Sequence, residues 1–231
     1  MNTLDLRPYS SFPNVYCTGS GNHMKLYTLN RTPGRKVYGE NLISLNGKEY
    51  REWDPFRSKL AALLLLKPDL GWFLKSQSCL YLGASSGTTI SHLSDMLSEG
   101  IIFGVEIAER SIRQLVHSAS DRDNLITILG DANYPENYAK SIFKEVDIIY
   151  QDVAQPNQAE IAIKNSDYYL SPEGRLIFAI KSQSIDSIEK SEKVYEEEKR
   201  HLTSSGYDII NSVNINKFAA NHIILIAQRK V

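Results

Sequence analysis

Tyr81-Leu-Gly-Ala-Ser-Ser-Gly-Thr-Thr89 decides the fold. An apolar strand end runs into a turn of small residues and then into a helix start. Glycine lets the backbone approach a ligand closely, and the free N–H groups of a helix start face what lies in front of it. The stretch therefore reads as the turn of a nucleotide-type cofactor site. Ile101-Ile-Phe-Gly-Val105 reads as a second strand and ends in Glu106. That acid lies roughly twenty residues past the first glycine, the spacing at which a carboxylate reaches ribose hydroxyls in dinucleotide folds. The turn itself is Gly83-Ala84-Ser85-Ser86-Gly87, with serine where G-x-G-x-x-G has its middle glycine, and no Gly-Lys-Ser/Thr follows. A P-loop is excluded. S-adenosylmethionine (SAM) has a ribose but no phosphate, and it fits the pattern better than NAD.

Outward from this turn, strands and helices alternate. Strand candidates are Cys79–Leu82, Ile101–Glu106, Leu125–Leu129, Val146–Gln151 and Arg175–Lys181. Helix candidates are Phe56–Leu66 (Asp54 as N-cap, Pro55 at the first position), Thr88–Leu97, Glu109–Ser118, Glu136–Phe143, Gln158–Leu170 and a charged Ile185–Leu202. The chain closes on two β-rich segments, Tyr207–Asn216 and Ile223–Arg229. Alternation predicts a parallel sheet with right-handed crossovers, and the closing pair predicts an antiparallel edge. The fold class expected is α/β, a Rossmann-like SAM-dependent methyltransferase with a seven-stranded mixed sheet. Before Trp53 the pattern differs. Short alternating segments (Val15–Cys17, Lys25–Leu29, Lys36–Tyr38) are separated by turn formers, and Asn46-Gly47 between apolar segments signals a hairpin. Residues 1–52 are expected to form a small antiparallel β subdomain, and 53–231 the methyltransferase domain.

Composition narrows the function classes. The chain of 231 residues carries 26 Lys+Arg against 27 Asp+Glu, a net charge of −1. A protein that grips nucleic acid unaided usually carries a basic excess, so an RNA substrate would have to be held by something else. No apolar run approaches the roughly 18 residues of a membrane span, and no signal pattern opens the chain. Two cysteines, Cys17 and Cys79, form no disulfide framework or Cys-x-x-Cys metal site. A cytoplasmic protein without a metal is expected.

Ligands of open α/β sheets bind beyond the carboxyl ends of the strands. Those ends supply Gly83, Ala84 and Ser85; Glu106 and Ile107; Asp131 and Ala132; Asp152, Val153, Ala154 and Gln155; Lys181; and His222 in the closing hairpin. Glu106 is the candidate for ribose and Asp131 for adenine. Each has a plainer reading: a solvated strand end for Glu106 and Lys181, a helix cap for Asp131 and Asp152, a turn residue for His222. For Asp152 the cap role is weakened because Gln155-Pro156 intervenes before the next helix. Lys59, on the helix before the first strand, is otherwise a surface lysine. In the order Lys59, Asp152, Lys181, His222 these residues suggest methyl transfer to a hydroxyl. Lysines lower the hydroxyl's pKa electrostatically or take its proton, and an aspartate orients them.

Several motifs in order resemble one family: Trp53-Asp-Pro-Phe-Arg-Ser-Lys-Leu-Ala-Ala62, the Tyr81–Thr89 turn, Val-Glu106, Gly130-Asp-Ala132 and above all Asp152-Val-Ala-Gln-Pro-Asn-Gln158. They are similar to fibrillarin, the 2′-O-methyltransferase of box C/D guide RNPs. The resemblance implies SAM contacts at Thr88, Thr89, Glu106, Asp131, Ala132 and Asp152 to Gln155. It implies a catalytic set of Lys59, Asp152, Lys181 and His222. It also implies rRNA and tRNA as substrates, chosen by a box C/D guide RNA, with a Nop-domain coiled-coil scaffold protein and a kink-turn-binding protein of ribosomal type as partners. Without a Gly/Arg-rich N-terminal extension the chain resembles the archaeal form. It departs from the family pattern at Ala84-Ser-Ser86, at Gln151 before Asp152, and at Phe218-Ala-Ala-Asn-His222. Trp53, Trp72 and Phe73 are candidates for a partner-facing surface, though burial in the core is the commoner fate of such residues. Two alternatives remain: a stand-alone RNA or small-molecule O-methyltransferase, and a non-catalytic scaffold that keeps the SAM fold.

Overall fold

The structure, a computed structural model, describes residues 5–230. The first five strands are β1 (Arg7–Pro8), β2 (Val15–Thr18), β3 (Lys25–Leu29), β4 (Leu42–Leu45) and β5 (Lys48–Trp53). They form an antiparallel sheet in the order β1-β2-β3-β5-β4. The expected hairpin joins β4 to β5. Leu45 pairs with Lys48, and the two residues between them, Asn46 and Gly47, take φ of 52° and 73°. Positive φ at both positions is what a two-residue turn of matching twist requires. Lys36–Tyr38, expected to be extended like its neighbours, forms no strand. The N–H groups of Val37 and Tyr38 donate to the Glu40 carboxylate instead of to a neighbouring strand.

Helix α1 (Lys59–Leu66) opens the second part. It starts at Lys59, capped by Ser58, whose Oγ accepts from Ala61 N–H at 3.3 Å. Asp54 is not its cap: the carboxylate closes a tight turn on Phe56 N–H, 2.9 Å away. Then follow β6 (Cys79–Leu82), α2 (Thr88–Met96), β7 (Ile102–Glu106), α3 (Glu109–Ala119), β8 (Leu125–Leu129), β9 (Val146–Gln151), α4 (Gln158–Tyr169), β10 (Leu170–Lys181), α5 (Ser182–Ile185), α6 (Ser191–Ser204), β11 (Tyr207–Asn214) and β12 (His222–Arg229). The seven later strands form one mixed sheet, β11-β12-β10-β9-β6-β7-β8. β6 to β10 run parallel, and β12 lies antiparallel between β10 and β11. Every residue of β6 and β7 is buried, the continuous pattern of strands covered on both faces.

Two helix expectations change. Glu136–Phe143 is a 3-10 helix spanning Pro135–Ser141. Ile185–Leu202 is broken into α5 and α6. Asp186 accepts from Ile188 and Glu189 N–H at 2.8 and 2.9 Å, and this side-chain turn stops the helix. The first sheet is not an appendage with a separate interior. Val15, Leu26 and Trp53 share one apolar cluster with Leu60 and Leu63 of α1 and with Tyr81 and Tyr150 of the large sheet. Trp53 and Phe73 are core residues, not surface ones, and half-buried Trp72 stacks on Phe73 at 4.1 Å. Both cysteines are buried and unpaired.

Buried charges join the two sheets. Asp95, near the end of α2, accepts from Arg122 Nη1 (2.7 Å) and Arg31 N–H (3.0 Å) on one oxygen. Its other oxygen accepts from Arg51 Nη1 (2.9 Å) and Thr28 Oγ (2.8 Å). Arg51 also donates to Glu40 at 2.7 Å. The side chains of Arg51, Asp95 and Arg122 have no exposed surface. His92 packs on Trp53 and contacts Thr28 Oγ through Nδ1 at 2.7 Å. Thr28 spends its proton on Asp95, so His92 Nδ1 must carry the hydrogen of that contact. Burial, reinforced by Arg51 and Arg122, drives the His92 pKa well below 6.5.

Asp95→Ala removes the only carboxylate paired with Arg122 among the described residues. It is expected to cost about 3–5 kcal/mol, read as a lower midpoint in urea unfolding. A loss under about 1 kcal/mol would deny the network that role. The depressed His92 pKa has a definite sign. Below pH 6.5 the unfolded chain takes up a proton that the folded chain refuses. Stability is therefore fully present above about pH 6.5 and falls as pH drops below it, checked by thermal unfolding across pH.

Candidate active site at the carboxyl ends of the central strands

The order of the large sheet reverses at β6, which has β7 on one side and β9 on the other. Loops leaving the carboxyl ends there diverge and open a crevice. Gly83 ends β6 with φ of +81°, and a Cβ at that position would sit 2.5 Å from the Asp152 carbonyl oxygen. Only glycine lets the two strand ends lie this close. The turn continues with Ser85 at φ 51° and Gly87 at φ 112° before α2 begins. Ser85 N–H donates to Glu106 Oε2 at 2.7 Å, and Ala108 N–H donates to Oε1 at 2.8 Å. Two backbone donors thus fix the carboxylate and leave acceptor capacity on both oxygens.

A cleft of about 320 Å³ lies over this turn, within the size range of small-molecule sites. Its walls hold Gly83, Ser85, Glu106, Ile107, Ala132, Asp152, Val153, Ala154 and Gln155 of the sequence candidates. Val105 and Gly130, which sequence reading passed over, line it too. Ala84 lies beneath, buried. Asp131 sits in the same loop as Ala132 and accepts from Asn133 N–H and Nδ2, both at 2.9 Å. Asn133 also meets the side chains of Gln155 and Asn157, tying the loop after β8 to the loop after β9. Thr88 opens into a neighbouring cleft, and Thr89 Oγ donates to Ser58 Oγ at 3.0 Å. Among the described residues no group of three or more His, Cys, Asp or Glu is arranged to hold a metal, and no helix is long and apolar enough to cross a membrane.

Beyond Asp152 the four polar candidates converge. Lys59 Nζ lies 2.8 Å from both Asp152 oxygens, a pairing of residues 93 apart in sequence. Lys181 and His222 are cross-strand partners at the ends of β10 and β12. His222 is nearly buried, and its Nδ1 is 2.7 Å from the Ala220 carbonyl. A carbonyl only accepts, so Nδ1 carries the hydrogen and Nε2 keeps its lone pair. Burial pulls the His222 pKa below 6.5; the Ala220 carbonyl and Asp152 oppose this, while Lys59 and Lys181 add to it.

A profile of the fibrillarin family matches residues 6–231. The chain belongs to the fibrillarin family. The fibrillarin-like rRNA/tRNA 2′-O-methyltransferase of Methanopyrus kandleri is 40% identical over 230 residues, covering 99% of each chain. Aeropyrum pernix fibrillarin, solved with natively bound S-adenosyl-L-methionine, superposes at a TM-score of 0.85 with 38% identity, covering 97% of this chain and 100% of that one. A fibrillarin/Nop5p complex contains a chain that superposes at 0.79 with 36% identity, covering 89% of this chain and 94% of that one.

The last glutamine of the fibrillarin-like motif Asp152–Gln158 has a visible task here. β9 pairs with β10 as far as Gln151 opposite Phe178. Lys181, three residues farther on, has outrun that ladder. The fully buried Gln158 side chain takes the place of a strand: its Oε1 accepts from Lys181 N–H at 3.0 Å and its Nε2 donates to the Lys181 carbonyl at 3.2 Å. Gln151, the departure from the family pattern, donates Nε2 to the Gln158 carbonyl at 2.7 Å and so holds Gln158 in turn. Gln158→Leu strands two backbone groups at an expected cost of about 1–3 kcal/mol. Its loss of kcat should be non-additive with that of Lys181→Ala in a double-mutant cycle. Simple additivity would mean that Gln158 does not act through Lys181.

Proposed function

We propose that this protein is a SAM-dependent 2′-O-methyltransferase that modifies rRNA and tRNA at sites chosen by a box C/D guide RNA. A Nop-domain coiled-coil scaffold carries it to the RNA beside a kink-turn-binding protein of ribosomal type. Residues 1–52 act as its β subdomain and 53–231 as its catalytic domain. The observation that carries the reading is the Lys59–Asp152 pair, whose aspartate lines the Gly83–Glu106 cleft and which, with Lys181, lies close enough to act on the charge of His222, in a chain of the fibrillarin family. The printed names of relatives support the rest: an rRNA/tRNA 2′-O-methyltransferase, a fibrillarin with bound SAM, and a complex with Nop5p.

The cleft fits SAM on its own geometry. The Gly83 turn leaves room where a side chain would collide, and Glu106 is fixed at a strand end with acceptor capacity to spare. Glu106 would hold the ribose hydroxyls, and Asp131, Ala132 and Ile107 would meet the base. Ser85, Thr88 and Thr89 belong to the turn and helix start that would receive the cofactor, and Val153, Ala154 and Gln155 supply a further wall of the cleft. When bound, SAM supplies a methyl group on a sulfonium, open to displacement by an oxygen nucleophile. The protein's share is to place a ribose 2′-hydroxyl in line and to manage its proton. Two ammonium groups stabilise negative charge developing on that oxygen. Asp152 holds Lys59 by both oxygens and fixes its direction. His222 presents an unprotonated Nε2 at neutral pH, a second place for a proton. Much of the acceleration is positioning.

The deciding experiment combines the protein with scaffold, kink-turn protein, guide, complementary RNA and labelled SAM. Transfer should reach one guide-specified 2′-hydroxyl and vanish for the protein alone. Asp152→Ala should lose transfer by at least about a hundredfold. Transfer by the lone protein would instead make it a free-standing enzyme. Because the folded His222 pKa lies below 6.5, the acid limb of the pH–rate profile should have its midpoint below pH 6.5. His222→Gln should remove that acid limb from the pH–rate profile; an unchanged limb would exclude His222 from the reaction.

A further inference from the structure

A second and larger cleft, about 610 Å³, lies on the far side of the Ser85–Thr88 turn. Four elements build it: the 35–38 loop of the first sheet, Arg57 just before α1, Ser86 and Thr88 of the turn, and the face of α3 with Arg113, Gln114 and His117. Its lining includes Arg35, Lys36, Arg57 and Arg113 but no aspartate or glutamate. That is unlike a chain whose net charge is −1. Two of the cations have carboxylate partners outside the lining, Arg35 with Asp121 and Arg113 with Glu109. Both pairs are exposed, hence weak and exchangeable for another anion. The Arg57 guanidinium is held over the Tyr38 ring, 5.0 Å from its centroid.

We propose that this cleft binds the ribose-phosphate backbone of the target-bearing RNA beside the reacting nucleotide. The inference rests on the methyltransferase reading above and adds where its substrate runs. Continuity with the reaction centre supports it. Ser86 and Thr88 line this cleft while Ser85 lines the cofactor cleft, so one turn separates them. Arg57 precedes Lys59 by two residues. A strand whose 2′-hydroxyl met Lys59 and Asp152 would then pass its flanking phosphates toward this wall. Thr88, Gln114 and Ser118 add neutral hydrogen-bonding groups suited to phosphate oxygens and 2′-hydroxyls. Such contacts carry no sequence information. That suits an enzyme whose targets are chosen by base pairing elsewhere. It also reconciles the chain's lack of a basic excess with a polyanionic substrate: the cations are few but gathered on one path.

The test uses the reconstituted assembly with several target sequences and their matching guides. Lys36→Ala and Arg57→Ala should each raise KM for the target about threefold to tenfold and leave kcat within about twofold. Each should lower the slope of log KM against log salt by about one, equally for every target sequence. Lys48→Ala, an exposed lysine outside the cleft, should do neither. Unchanged KM and slope in variants of an assembly that the wild type renders active would overturn the proposal and leave the function intact. Weakened binding of the scaffold protein without RNA would overturn it in favour of an acidic protein surface. If the wild-type assembly transfers no methyl group, the functional reading fails. Binding of the guide–target duplex by the same variants then decides the cleft: weaker binding sustains it, and equal binding ends it.

Discussion

Asp95 is the charge on which both sheets converge. Its carboxylate is fully buried and accepts from a backbone N–H and a hydroxyl of the first sheet and its loop, from Arg51 of β5, and from Arg122 ahead of β8. Burying ions is costly unless each is paired and hydrogen-bonded. The sum here is neutral: Arg51 and Arg122 face Asp95 and Glu40, with His92 kept uncharged between them. That balance leaves little freedom. A shift of the first sheet against α2 would strand at least one charge, so the two parts hold a single relative placement. The consequence reaches the reaction centre. β5 ends at Trp53, packed on His92, and five residues later Ser58 caps the helix that carries Lys59. α2 begins at the cofactor turn and ends at the Asp95 clamp. Fixing one against the other fixes Lys59 above the end of β9, where Asp152 waits.

The large sheet was legible because its signals are local. Short apolar runs, each ended by a glycine or a polar residue, read as parallel strands, and Gly83-Ala-Ser-Ser-Gly87 read as a turn that only small residues can make. Those strand ends became the cleft. Asn46-Gly47 was equally local, and the hairpin formed with both residues at positive φ. What stayed hidden depends on partners far away in sequence. Arg51, Asp95, Arg122 and His92 look like ordinary polar residues of an amphipathic chain, and nothing near them names a partner. Helix starts failed for a related reason. Asp54-Pro55 carries a proper start signal, yet the chain used Ser58, because Thr89 of α2 meets that hydroxyl and places it. In sequence Gln158 is legible only as the end of a motif and the start of a helix. Its task appears once β10 is known to outrun β9 by three residues.

Charge in this molecule is sorted rather than abundant. A net charge of −1 says nothing of where the cations stand. Lys59 meets Asp152 at the end of the central strands, Lys181 stands beside His222 on the neighbouring strand ends, and four further cations line the adjacent cleft. A surface that is basic throughout would attract any RNA at any register, since phosphate contacts do not read sequence. On the proposed function, confining the cations to one path beside the cofactor cleft would keep free affinity low. The pairing of guide and target would then set which nucleotide arrives.

The state of His222 follows from the same sorting. Two ammonium groups and burial both oppose a third positive charge there, and only Asp152 and the Ala220 carbonyl favour it. A histidine in that setting stays neutral with its lone pair on Nε2. In the reaction proposed above, the site would combine groups that steady an oxyanion with one that is basic without being charged. A cluster of cations alone would stabilise the nucleophile but offer its proton no destination among them. The neutral imidazole would supply one, and the strand pairing of Lys181 with His222 keeps it next to the charge it complements.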